Sequence, residues 1–124
     1  MYTNEQICRV LHHTLSAFCV AIGEPALQPW DEAPEWQKES TRDAVRAHLE
    51  AHRNGDPTPS AKKSHEIWAQ EKRNAGWTWG PVKDAVRKTH PDLVPYEQLS
   101  FNARFKDPLV AGVIRMMADA ENLV

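Results

Sequence analysis

Large apolar side chains recur at helical spacing in the first part of the chain. They follow one another at intervals of three and four residues and are Ile7, Leu11, Leu15, Phe18 and Ile22. This stripe predicts an amphipathic helix over about residues 3–22. Thr3 with Gln6 fits a capping box at its start, and Gly23 followed by Pro25 is typical of a helix end.

Three further helices are predicted from weaker apolar patterns. The second spans about 34–52 and begins at a proline, which suits a first helical turn. The third spans about 59–75 and is followed by Gly76, a typical terminating residue. The fourth spans about 107–120, with Asp107 as its N-cap. Its apolar face consists of Leu109, Val113, Met116 and Met117.

Turn-forming residues dominate the stretch from 77 to 99, where three dipeptides end in proline. Short extended pieces are expected at Trp77–Trp79 and Leu93–Val94, so a small two-stranded ribbon is the only β structure predicted. The fold class is therefore mainly α, a small helical bundle of four main helices with a short two-stranded β element within residues 77–96. With 124 residues, the chain is expected to form a single domain over 1–124.

The formal net charge is −2, which excludes whole-chain electrostatic attraction as a basis for binding nucleic acid or membranes. The charges are unevenly placed. Residues 24–50 hold seven acids and three bases, whereas residues 60–90 hold seven bases and three acids. The later segment could therefore favour a small anionic ligand. Five tryptophans in so short a chain also call for an explanation.

The two cysteines are expected to remain free thiols. Cys8 and Cys19 fall on one predicted helix about 16 Å apart, too far for a disulfide between them. Buried thiols of this kind are typical of a reducing compartment, so we expect a cytoplasmic protein. The first helix also lacks the cationic start and cleavage site of a signal peptide.

Motifs for catalysis and metal binding find little support. His48 and His52 share a helical face, but Glu50 does not follow the first histidine as in zinc proteases, so a solvated polar face is favoured. The sequence has no Gly-x-Ser-x-Gly elbow and no glycine-rich phosphate loop. We therefore expect a non-catalytic protein with neither metal nor cofactor.

A cluster of aromatic and basic residues is the more specific chemical signal. Its members are His65, Trp68 and Lys72 on one face of the third helix, followed by Trp77, Trp79, Lys83, His90 and Tyr96. Aromatic planes beside cations suit a base carrying phosphate, since the ring stacks and the anion is paired. The alternative is that these tryptophans are core anchors, as Trp30 and Trp36 are expected to be and as Trp77 is expected to be beneath the ribbon.

Four ordered blocks of this cluster closely resemble the RyR domain, the repeat module named from ryanodine receptors. They are His65–Lys72, Gly76–Asp84, Lys88–Pro91 and Leu93–Tyr96. The stretch Pro29–Trp36 is similar to the N-terminal half of bacterial and phage versions, and the likeness extends over about residues 5–117. The resemblance implies a mostly helical bundle with a short β element. It also groups this chain with stand-alone bacterial and phage copies.

The resemblance implies a nucleotide-type ligand. An adenine nucleotide is associated with the tandem receptor module, and the Trp of the His-Glu-x-Trp block, Trp68 here, is its stacking candidate. We expect Trp79 or Tyr96 as a second wall. The phosphates would be met by Lys72, Lys83 and Arg42, and hydrogen bonds would come from His65 and His90. A phage-encoded copy would act in the host cytoplasm, and a homodimer would supply the missing second repeat. The alternative is a protein-interaction module that binds no small molecule.

Overall fold

Four α-helices and one pair of short strands make up residues 1–120, the part of the chain described by this computed structural model. The elements are α1 (Asn4–Ala21), α2 (Glu35–Arg53), α3 (Ala61–Asn74), β1 (Thr78–Trp79), β2 (Thr89–His90) and α4 (Lys106–Asp119). Short 3-10 turns lie at Trp30–Glu32, Tyr96–Gln98 and Ala103–Phe105. The predicted class is confirmed: the fold is mainly α, with four main helices and a two-stranded β element in the expected segment.

Local side chains set the helix ends, as predicted for Thr3 and Gly76 and without such a prediction for Ser60. At the start of α1 the Thr3 hydroxyl accepts the Gln6 backbone N–H at 3.1 Å, and the Gln6 side chain accepts the Thr3 N–H at 2.8 Å. In α3 the Ser60 hydroxyl accepts the Lys63 N–H at 3.2 Å. Gly76 follows α3 with φ +90°, which lets the chain leave the helix without steric cost.

The start of α4 differs from the prediction. Asp107 is not an N-cap, because the turn Ala103–Phe105 runs directly into the helix and Lys106 already has helical backbone angles. The Asp107 carboxylate lies in the first turn and faces a histidine of α3 instead of capping its own helix. The predicted apolar face of α4 is also partly wrong, since Met116 is exposed.

The described chain divides into two compact units. The first comprises Met1–Thr58 and the chain from Val110 onward. Its buried cluster consists of Ile7, Cys8, Leu11, Trp30, Val45, Leu49 and Ile114. Trp30 anchors this core as predicted, and its indole N–H donates to the Glu5 carboxylate at 2.9 Å. Cys8 and Cys19 are both buried, and neither forms a disulfide.

The second unit, Pro59–Leu109, has a smaller apolar interior. Its buried apolar residues are Ala69, Trp77, Leu93, Leu99 and Ala103. Two buried polar residues of α3, Ser64 and His65, complete it. An interior with so few aliphatic side chains depends on its aromatic rings for packing. The prediction that residues 1–124 form one domain stays a prediction.

The strand pair is parallel and joins residues other than those predicted. Thr78 pairs with Thr89 and Trp79 with His90, so Leu93–Val94 is not the second strand. The Val94 carbonyl instead accepts a side-chain hydrogen bond, and Pro95 has no N–H to offer a ladder. The connection between the strands doubles back, because Asp84 and Thr89 exchange two backbone hydrogen bonds of 3.0 Å.

No helix within residues 1–120 is long and apolar enough to cross a membrane.

Candidate ligand-binding site

Trp68 is the centre of an aromatic cluster in the second unit. It lies one turn after His65 on α3, and the two rings stack with centroids 5.5 Å apart and an angle of 29° between their planes. The His90 ring of β2 meets Trp68 edge-on, with centroids 5.0 Å apart. Trp68 itself is only half-buried. Its indole is therefore held in place by two imidazoles while part of it reaches solvent.

His65 is fixed by the protein through both ring nitrogens. The residue is 3% exposed, and its Nε2–H donates to the Val94 carbonyl at 2.7 Å. Its Nδ1 lies 3.4 Å from the Asp107 carboxylate. Burial raises the pKa of Asp107, and the neighbouring His65 opposes that rise. With both nitrogens facing protein groups, His65 supports the Trp68 ring rather than offering a donor to a ligand.

His90 is a neutral hydrogen-bond donor at physiological pH. The Asp92 backbone N–H donates to its Nδ1 at 3.0 Å, so the proton of the neutral ring is on Nε2. Burial, followed by the charges of Lys83, Lys72 and Lys106, lowers the pKa of His90 to about 4. The His90 ring therefore lies in a region of positive electrostatic potential.

Lysine side chains supply that potential. The Lys72 ammonium nitrogen is 4.8 Å from the centroid of the buried Trp77 ring, a cation–π contact. Burial and then repulsion from Lys83 lower the pKa of Lys72. Two cations that disfavour each other's charge would both be stabilised by an anion placed near them.

Tyr96, Trp79 and Lys83 lie towards the outside of this unit. Tyr96 is half-buried, with its ring centroid 6.3 Å from that of His65, and the Arg104 guanidinium lies 5.3 Å from the Tyr96 ring. Trp79 is 58% exposed on β1. Lys83 is exposed in the connection between the strands.

Arg42 belongs to the first unit, unlike the other predicted site residues. Its guanidinium pairs with Glu35 at 3.0 Å and lies 5.6 Å from the Trp30 ring. This pairing raises the pKa of Arg42. The fold brings five of the predicted site residues together through ring contacts or charge: His65, Trp68, Lys72, His90 and Tyr96. Lys83 acts on this group through its charge, which lowers the pKa of Lys72 and of His90.

Sequence reasoning missed three contributors to the cluster: Arg104, Lys106 and Asp107. Trp77 was included, but only as a packing residue, and the structure also places its ring 6.3 Å from that of His90 and beneath the Lys72 ammonium. Lys106 and Asp107 follow the cluster at a distance in sequence, and only the return of the chain after the last 3-10 turn brings them near it. No local spacing signals such a contact.

A known family contains this chain. The family model of the RyR domain matches residues 49–120, which is more than half of the sequence. The match covers every residue of the aromatic cluster, from His65 on α3 to Asp107 on α4. It does not include α1 or the turn at Trp30–Glu32. The chain therefore belongs to the RyR domain family.

Proposed function

We propose that the protein is a non-catalytic module that binds a small anionic molecule with an aromatic ring, of the nucleotide class. The observation that carries the proposal is the half-buried Trp68 ring, held by His65 and His90 where lysine charges converge. The ligand's ring would stack on Trp68, and its anionic group would approach Lys72 and Lys83.

Preorganisation of the aromatic ring supports a stacking role. His65 cannot turn away from Trp68 without breaking its hydrogen bond to the Val94 carbonyl. His90 is restrained in the same way by the Asp92 N–H. A ring that is already ordered loses little conformational entropy when a ligand stacks on it. Base–aromatic stacking contributes about 1–3 kcal/mol per base.

Charge supports the anionic part of the ligand. Lys83, Lys72 and Lys106 all disfavour protonation of His90, so the potential near its ring is positive. A neutral His90 offers its Nε2–H to a phosphate oxygen without adding to that repulsion. Binding an anion would relieve the mutual repulsion of Lys72 and Lys83.

We further propose that the module senses or sequesters its ligand in the cytoplasm, and in the host cytoplasm if a phage encodes it. The two buried thiols of the first unit form no disulfide, which suits a reducing compartment. A homodimer would let a second copy cover the exposed side of Trp68. Sedimentation of the protein with and without ligand tests for the homodimer.

Calorimetric titration with ATP, ADP-ribose and cyclic oligonucleotides tests the proposed function directly. We expect at least one of them to bind, and Trp68→Ala to weaken that binding at least about tenfold through loss of stacking. Trp68→Phe should keep most of the affinity, because it retains an aromatic face.

Trp36→Ala is the matched control, since Trp36 is also a half-buried tryptophan but lies on α2 in the first unit. It should leave the affinity unchanged. Two results would overturn the proposal: no binding across the panel, or binding that Trp68→Ala and Trp36→Ala weaken equally.

A further inference from the structure

The end of β1 and the connection from β1 to β2 expose three apolar side chains. Trp79 is 58% exposed, Val82 69% and Val86 94%. Large apolar side chains grouped within eight residues of one short segment are a typical mark of an interaction surface. We call residues 79–88 the turn surface.

Internal hydrogen bonds order the turn surface. The Asp84 carboxylate accepts the backbone N–H groups of Val86 at 2.9 Å and Arg87 at 3.1 Å. The Thr89 hydroxyl donates to the Val82 carbonyl at 2.9 Å. Lys88 has a φ of +55°, and its ammonium donates to the Ala75 carbonyl at 2.9 Å. The turn that carries the exposed valines is thus already ordered by hydrogen bonds. A partner that binds there would cost the turn little conformational entropy.

The charge on this stretch is one-sided. Residues 79–88 contain three bases, Lys83, Arg87 and Lys88, and a single acid, Asp84. One carboxylate oxygen of that acid is occupied by the turn's own N–H groups, and the other lies 4.0 Å from the Arg87 guanidinium. The turn surface therefore combines exposed apolar side chains with cations such as Arg87, whose side chain is 83% exposed.

We propose that the turn surface docks a partner protein through a segment in which carboxylates are interspersed with apolar side chains. The apolar side chains would cover Val82, Val86 and Trp79, while the carboxylates would pair with Arg87, which the proposed nucleotide site does not use. Complementary charge determines the sign of the partner and speeds its approach. The exposed valines favour a polypeptide over a nucleic acid, because valine offers neither a stacking face nor a hydrogen bond to a base.

A labelled probe peptide tests this proposal independently of any nucleotide. The probe is a short fluorescein-labelled peptide with leucines interspersed among glutamates, and its binding is measured by fluorescence anisotropy. We expect saturable binding that weakens as salt rises. A peptide with lysines in place of the glutamates, or serines in place of the leucines, should bind at least about tenfold more weakly.

Two substitutions locate the binding on the turn surface. Val86→Asp should weaken the probe at least about tenfold, because it removes an exposed apolar contact and adds a repelling charge. The matched control is Val20→Asp, an exposed valine on α1. Both variants should retain the wild-type circular dichroism spectrum and any nucleotide affinity.

Three outcomes would overturn the proposal. One is no binding of the probe, and another is equal loss of binding in Val86→Asp and Val20→Asp. The third is binding of vesicles of mixed phosphatidylcholine and phosphatidylserine, or of a single-stranded oligonucleotide, in place of the peptide. Failure here leaves the Trp68 titrations unaffected, so the two proposals are judged separately.

Discussion

At the scale of single residues, His90 connects the packing of the second unit to its electrostatics. Its Nδ1 is tied to the Asp92 N–H, its ring meets Trp68 edge-on, and three lysines raise the cost of charging it. An imidazole in this position stays neutral at pH values where an ordinary histidine titrates. Its pKa of about 4 therefore has a consequence for folding.

The stability of the protein should depend on His90 below pH 6.5. In the unfolded chain the imidazole takes up a proton near its ordinary pKa of about 6.5, whereas the folded ring resists charging until about pH 4. Folding is thus destabilised as the pH falls through that window. Since solvent partly screens the ring, we expect His90 to account for about 2 kcal/mol of the loss.

His90→Asn is the variant that isolates this effect, because its amide oxygen can still accept the Asp92 N–H. Urea unfolding of both proteins at about pH 7 and about pH 4.5 gives the difference. The wild type should lose more unfolding free energy than the variant. Burial raises the pKa of Asp107, so this carboxyl stabilises the fold as the pH falls. It does so in the wild type and in the variant alike, and its contribution cancels in the comparison. Equal losses in the two proteins would contradict the account.

The roles of individual residues were predicted from the sequence only where a local rule applied. The Thr3 cap and the terminating Gly76 follow from short-range geometry and are confirmed. The partners of His65 were not predictable, because Val94 and Asp107 reach it from distant parts of the second unit. Spacing along a helix identifies a face but not what that face meets.

At the scale of elements, the β1–β2 pair depends on a close approach at Gly80. A Cβ atom added there would lie 2.6 Å from the Thr89 Cβ, which is branched and cannot rotate away. Thr89 is also fixed by two backbone bonds to Asp84. Any side chain at position 80 must therefore push the strands apart.

Gly80→Ala should destabilise the protein by about 1–3 kcal/mol, the usual cost of forcing atoms into a filled space. Gly112→Ala is the matched control, because nothing lies within 4 Å of a Cβ added on α4. There alanine should add up to about 1 kcal/mol through helix propensity. Urea midpoints measure both changes, and a neutral or stabilising Gly80→Ala would show that the strands do not approach so closely.

The four α-helices were predictable as elements, whereas the 3-10 turns and the second strand were not. Apolar spacing predicted the four helices with boundaries within two residues of those observed. The second strand was misplaced because two-residue strands carry no periodic signal. The first turn of α4 was misread because a 3-10 turn precedes it and removes the need for a cap.

At the scale of the whole molecule, the five tryptophans divide between the two units. Trp30 and Trp36 lie in the first unit, where Trp30 is buried with its indole N–H bonded to Glu5. Trp68, Trp77 and Trp79 lie in the second. Composition showed that tryptophan is abundant here and that bases gather after residue 60, but only the fold shows which rings lie beside which cations.

The indole N–H signals of the tryptophans in a nitrogen-15 NMR spectrum show directly whether a nucleotide binds beside Trp68. Each signal is assigned with single Trp→Phe variants, and ATP, ADP-ribose and cyclic oligonucleotides are then added in separate titrations. We predict that the Trp68 and Trp77 signals shift and saturate, while the Trp30 and Trp36 signals stay in place. A nucleotide site at Trp68 is contradicted if no signal moves at millimolar ligand, or if the signals that move are those of Trp30 and Trp36.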